Sequence, residues 1–227
     1  MAPQNQNRAI EIIPALLCDS RPEFEEKIRV LETFAGMVQI DVLDGSWLDG
    51  QKSWADKDYI SEILSPLLFE VHLMVTQPLI QIPRWCQLPS VRRIIFHIET
   101  MSDPTETKRT IEAIRFHGRE ACVALNPETS FRVIDTTVRY VDEVLFLTVQ
   151  PGASGRTFEQ PVLKKISEFS KIYPKIKVGV DGGISDTTIL PCITAGVSRL
   201  VVNSALFGAR VSPRDAWQHL QEVAARA

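Results

Sequence analysis

The stretch Val38-Gln-Ile-Asp-Val-Leu-Asp-Gly45 reads as a buried β-strand that nevertheless carries charge. Successive side chains of a strand point to opposite faces. Val38, Ile40 and Val42 therefore share one wholly apolar face, and Gln39, Asp41 and Leu43 share a mixed one. A buried ionised carboxylate is costly unless it is paired or bound to a metal. A strand of this kind fits a barrel, with its apolar face packed against helices and its mixed face turned to the interior.

The rest of the chain supplies such a barrel. Eight apolar runs recur at fairly regular spacing: EIIPALLC, MVQIDVLD, LLFEVHLMV, VRRIIFHIE, EACVALN, EVLFLTV, KIKVGVDGG and RLVVNSALF. Most are near-continuous in Val, Ile, Leu and Phe, as parallel strands covered on both faces are. Helical patterns lie between them. Ser102-Asp103-Pro104 opens one, which stops at Gly118 after Ile111 and Ile114. Thr157 is predicted to open another, with Val162, Leu163, Ile166 and Phe169 on one face. Ser212-Pro213 opens the last, with Ala216, Trp217, Leu220 and Val223 inward. Strands alternating with helices over this length predict an α/β fold of the (β/α)8 TIM-barrel type. Residues 1–9 read as a polar N-terminal tail and residues 10–227 as a single barrel domain. A doubly wound open sheet is the alternative, but the first strand–helix turn lacks the glycine-rich dinucleotide fingerprint.

With 227 residues, 44% hydrophobic, 23% charged and a net charge of -3, the chain has an ordinary globular balance. The mild acidity gives no electrostatic case for nucleic acid, and no run approaches the ~18 apolar residues of a membrane span. The N-terminus has neither a signal peptide's apolar core nor a transit-peptide pattern. Cys18, Cys86, Cys122 and Cys192 are scattered and suit neither a disulfide framework nor a zinc cluster. The expectation is a cytoplasmic protein with buried, reduced thiols and a small-molecule partner. Self-association into a homo-oligomer stays open, because no stretch identifies an interface.

In a barrel the chemistry sits at the C-terminal ends of the strands. In the third strand His72 and Met74 share a face with Glu70, opposite Val71, Leu73 and Val75. In the seventh, Asp181 lies opposite Val178 and Val180 and is followed by Gly182-Gly183. A lone strand histidine is ordinarily a hydrogen-bonded core residue, and a lone terminal aspartate is ordinarily a turn residue. Here Asp41, His72 and Asp181 converge on one mouth. Such a set offers oxygen and imidazole ligands to one divalent ion, or two carboxylates for proton transfer. Asp44, in the opposite register, reads as a turn residue. Three further segments can hold an anion: Pro151 to Gly155, which is flexible enough to be a lid, DGG after the seventh strand, and NSALFG after the eighth. Arg156 and Arg210 could add charge there but read better as surface residues.

These segments together resemble the ribulose-phosphate 3-epimerase family, over about Ile12 to Phe207. IIPALLC, QIDVLDG, VHLMV, IFHIET, ALNPET, LTVQPGASG, VDGGI and NSALF stand in the family's order and at compatible spacing. The resemblance implies inversion at carbon 3 of a phosphorylated ketose such as ribulose 5-phosphate. It assigns Asp41 and Asp181 as the catalytic acid/base pair and as metal ligands with His72. It also implies one divalent ion (manganese, magnesium, zinc or iron), and Met74 and His72 beside the substrate. The phosphate would lie among Gly152, Ala153, Ser154, Gly155, Gly182, Gly183, Asn203 and Ser204.

The departures from the family gather around this site. Gln39 stands where the family has its first metal-ligating histidine. Either its amide oxygen completes the coordination, favouring manganese or magnesium, or the ion is lost. Ala15 replaces a serine, Leu43 and Leu147 replace methionines, Ala153 and Ser154 replace an aromatic and a glycine, and Asn203 replaces a glycine. SWLDGQKSW departs from the family's loop after the second strand. An active epimerase and a non-catalytic sugar-phosphate-binding barrel both fit this pattern. An aldolase-like enzyme fits less well, because no lysine stands near these strand ends.

Overall fold

The computed structural model describes residues 10–227; the tail expected at residues 1–9 lies outside the described residues. The eight expected strands form: β1 Glu11–Leu16, β2 Met37–Leu43, β3 Leu68–Met74, β4 Val91–His97, β5 Glu120–Leu125, β6 Glu143–Leu147, β7 Lys177–Asp181 and β8 Arg199–Val202. They pair in parallel in sequence order, and β8 closes on β1. This is a (β/α)8 barrel, as the strand pattern predicts. Its helices are α1 Arg21–Leu31, α2 Lys57–Glu62, α3 Pro78–Cys86, α4 Pro104–Phe116, α5 Val162–Ile172, α6 Asp186–Ala195, the short α7 Ser204–Phe207 and α8 Pro213–Ala224.

Capping sets several of these boundaries. The Asp103 carboxylate accepts from the backbone N–H groups of Thr105 and Glu106, at 2.6 and 2.9 Å, and Pro104 occupies the first turn of α4. Ser212 caps α8 in the same way through Asp215. Such caps satisfy donors that the helix itself leaves unpaired. One boundary differs from expectation. Thr157 does not open α5, which starts at Val162. The Glu159 N–H is bonded at 2.7 Å to the Thr148 carbonyl at the end of β6, and Pro161 disfavours helical backbone at the residue before it. Residues 157–161 are thereby held along the strand end.

Two apolar layers result from the strand alternation. Outside the barrel, Val38, Ile40, Val71, Phe96 and Val180 pack with helix residues such as Phe24, Ile82, Ile114, Ile166 and Phe169. Inside it, Ile13, Ala15, Ile95, Cys122, Ala124, Leu145, Leu147 and Val201 form a separate cluster. Beneath that inner cluster lies a buried ionic layer. The Arg93 guanidinium reaches Glu70 at 2.9 Å and Glu143 at 3.4 Å, and Arg199 bonds both Glu70 and Glu143. All four side chains are nearly inaccessible. Burial raises the Glu143 pKa above its usual value although both arginines oppose this. Gly179 supplies the space, since a Cβ there would lie 2.5 Å from Glu143 Oε1 and 2.9 Å from Leu145 Cδ1.

Removing one partner of a buried ion pair leaves an uncompensated charge in low dielectric. Arg199→Met is therefore expected to lower unfolding stability by about 3–5 kcal/mol in urea titrations. A loss below about 1 kcal/mol would mean the layer is not held by these pairs.

Candidate active site

Strand register builds the site. Asp41 on β2 pairs directly with His72 on β3, and Leu147 on β6 pairs with Asp181 on β7. Asp41, His72 and Asp181 each offer one ligand atom, and these atoms lie within 4.8 Å of one another. His72 Nδ1 stands 3.2 Å from Asp41 Oδ1 and 3.6 Å from Asp181 Oδ2. The convergence predicted from alternation is therefore found. Met74 lines the same cleft.

Two carboxylates in one partly dry mouth cannot both ionise freely. Burial, and then the charge of Asp41, push the Asp181 pKa up to about 7, against the opposing pull of His72 and Gln39. For His72, burial works to lower the pKa; the hydrogen bond and charge of Asp41, followed by Asp181, outweigh it, and the net direction is upward.

Gln39 lies beneath this group, completely buried. Its amide nitrogen donates to Asp41 Oδ1 at 2.8 Å and to Asp181 Oδ2 at 2.7 Å, and stands 3.3 Å from His72 Nδ1. Two acceptor oxygens call for the NH2 end of a carboxamide, which has two N–H donors. The other end is left orphaned: Gln39 Oε1 is buried without a hydrogen-bond partner. The residues present fit a divalent ion. Two carboxylates and an imidazole are an ordinary donor set. Their ligand atoms lie within 4.8 Å of one another, close enough for one ion to touch all three.

The residues predicted to hold phosphate all line this cleft: Gly152, Ala153, Ser154, Gly155, Gly182, Gly183, Asn203 and Ser204. Gly182 and Gly183 adopt φ of 108° and 62°, the left-handed region that favours glycine. A Cβ on Gly183 would come within 2.9 Å of the Phe158 backbone. Asn203 neither projects freely nor is idle. Its Nδ2 donates to the Ala15 carbonyl at 2.9 Å, and its Oδ1 accepts from Ser154 at 3.2 Å. It thus ties the ends of β1 and β8 to the loop of residues 151–155. Arg156 also lines the cleft, whereas Arg210 is exposed elsewhere. Cys18 is a buried thiol whose pKa burial pushes up to about 12. Asp44 accepts from the backbone and hydroxyl of Ser46, as a turn residue does.

Sequence reasoning assigned no role to His97, Glu99 or Trp47. His97 Nε2 lies 2.8 Å from His72 Nε2, and His97 Nδ1 lies 3.2 Å from Glu99 Oε2. The Trp47 ring covers His97 at 4.5 Å between centroids. The signal was available, because Arg93, Ile95 and His97 alternate inward on β4 as Glu70 and His72 do on β3.

Comparisons with known proteins agree with this geometry. The model of the ribulose-phosphate 3 epimerase family matches residues 11–207. A ribulose-phosphate 3-epimerase of Bacillus subtilis is 31% identical over 208 residues, covering 88% of this chain and 93% of its own. A chloroplastic ribulose-5-phosphate-3-epimerase of Arabidopsis thaliana is 30% identical over 210 residues, covering 88% and 73%. Among solved structures, an orotidine 5'-monophosphate decarboxylase from Sulfolobus solfataricus superposes with a TM-score of 0.64 at 11% identity, covering 96% of this chain and 98% of its own. That likeness speaks for the barrel alone. The sequence match extends through every strand that supplies the site, and the chain belongs to the ribulose-phosphate 3-epimerase family.

Proposed function

We propose that this protein inverts carbon 3 of a phosphorylated ketose, such as ribulose 5-phosphate, by proton transfer between Asp41 and Asp181. The observation that carries the proposal is the pair of carboxylates bridged by one amide nitrogen at the strand ends, beside a glycine-rich cleft. Carbon 3 lies next to the carbon 2 ketone, so losing its proton gives an enediolate whose negative charge needs stabilisation. Asp41 takes the proton from one face of the sugar. Asp181, entering protonated, returns a proton to the other face. The two acids then stand in exchanged protonation states, ready for the reverse reaction or for reset by solvent. Met74 and Leu147 keep the reacting carbon in apolar surroundings. The lid loop and Gly182, Gly183, Asn203 and Ser204 take the phosphate.

Asp41, His72 and Asp181 would hold one divalent ion. Gln39 would join them by turning its carboxamide over, so that the orphaned Oε1 replaces Nε2. When bound, such an ion supplies Lewis-acid stabilisation of the enediolate charge. Three oxygens and one nitrogen favour manganese or magnesium over zinc. One observation supports a second reading. The Gln39 NH2 already donates to both carboxylates, so a silent sugar-phosphate-binding barrel would also be satisfied. Among the described residues, no helix is long and apolar enough to cross a membrane.

Incubation with ribulose 5-phosphate in deuterated water, with manganese, magnesium or zinc, should exchange the carbon 3 proton by NMR. Asp41→Asn and Asp181→Asn should each slow this by about 10²–10⁴-fold. No exchange under any of these conditions leaves the binding-barrel reading. By calorimetry, Gln39→His is expected to tighten zinc binding, and unchanged affinity would remove Gln39 from the coordination sphere. With chelator present, the pH dependence has a definite sign. A carboxyl raised to about 7 from 3.8 favours the fold while protonated. Its contribution is complete below about 3.8 and lost as pH rises through about 7. Thermal unfolding should therefore show a larger drop from pH 5 to pH 8 in wild type than in Asp181→Asn. Equal drops would place the raised carboxyl elsewhere.

A further inference from the structure

His72 does not end at the mouth; its far nitrogen is the first member of a buried chain. His72 Nε2 meets His97 Nε2 at 2.8 Å, His97 Nδ1 meets Glu99 Oε2 at 3.2 Å, and both rings are inaccessible. The rings lie nearly parallel, 18° apart, and Trp47 covers the second. Glu99 is fixed in turn. Its Oε1 accepts the Asn126 backbone N–H at 2.7 Å, and the Asn126–Thr129 loop is fastened by Lys165 Nζ, which donates to the carbonyls of Asn126, Pro127 and Thr129.

We propose that His97 and Glu99 are positioning residues that set the tautomer of His72, turning its Nδ1 lone pair toward Asp41 and Asp181. The proposal rests on the reading of His72 as a ligand. When each imidazole carries one proton, Asp41 Oδ1 and Glu99 Oε2 each stand 3.2 Å from a ring Nδ1, but Asp41 Oδ1 already accepts from Gln39 at 2.8 Å, so the order is set from the Glu99 end. An ionised carboxylate only accepts, so the His97 proton sits on Nδ1. His97 Nε2 is then an acceptor, and the His72 proton must sit on Nε2. Nδ1 of His72 is left as a lone pair among Asp41 Oδ1, Asp181 Oδ2 and Gln39 Nε2. The opposite tautomer would aim an N–H at the carboxylates and could not ligate. Outer partners of ligating histidines commonly work in this way, fixing which nitrogen is free.

The same pinning gives a near-isosteric test, Glu99→Gln. The atom facing the Asn126 N–H must remain an oxygen, so the new NH2 faces His97 Nδ1 and donates to it. His97 then carries its proton on Nε2, donates to His72 Nε2 and drives the His72 proton onto Nδ1. Only the direction of the hydrogen bonds changes.

Nitrogen-15 NMR of histidine-labelled protein at about pH 9, with chelator, reads the tautomer directly. The His72 signal is assigned by its loss in His72→Gln. Wild type is expected to carry the proton on Nε2 and Glu99→Gln on Nδ1. Calorimetric titration with manganese alone should show Glu99→Gln binding about 10–100-fold more weakly, with a circular dichroism spectrum like that of wild type. A wild-type proton on Nδ1, or a Glu99→Gln variant with wild-type tautomer and affinity, overturns the proposal. If Glu99→Gln does not fold, the wild-type spectrum still decides. If wild type binds no ion, the metal-site reading falls, and the position of the His72 proton still decides for or against the relay.

Discussion

Repulsion between the Asp41 and Asp181 carboxylates is the constraint around which the mouth of this barrel is arranged. Two anions held a few ångströms apart in a partly dry site need positive charge or protons between them. The structure answers with the Gln39 amide, donating to both at 2.8 and 2.7 Å, with His72 pressed against the pair, and with an Asp181 pKa lifted to about 7. Each response is also a chemical resource. The amide can exchange its nitrogen end for its orphaned oxygen, the imidazole can offer a lone pair, and the lifted carboxyl can donate a proton.

The barrel was legible in the sequence because burial on both faces leaves a direct mark. Near-continuous apolar runs such as EVLFLTV and RLVVNSALF map onto β6 and β8. Alternation tells inside from outside, which alone brings Asp41, His72 and Asp181 to one mouth. The start of α5 was less legible, because a tertiary hydrogen bond from Glu159 to Thr148 competes with the local helical pattern. The relay through His97 was hidden for a different reason. Nothing in a single strand announces that its histidine will meet one from the neighbouring strand, and the partner contact lies 25 residues away in sequence.

The ionic layer shows the same limit. Glu70 could be assigned to the inner face, but its partners Arg93 and Arg199, and the Glu143 that shares them, come from three other strands. Charge patterning along one element says nothing about charges that meet only after closure. In physical terms the barrel interior is stacked: ionic pairs below, aliphatic side chains between, and acids and imidazoles at the top. The aliphatic layer keeps the lower charges apart from the acids above.

Gly179 gives that stack a historical consequence. Because β7 contributes no side chain there, Glu143 and Arg199 fill its place and are matched to each other and to Glu70 and Arg93. A lone change at any of the four strands a charge, and a side chain at residue 179 evicts one. These five positions should therefore drift together or not at all, so that descendants of this chain inherit the plug as a block.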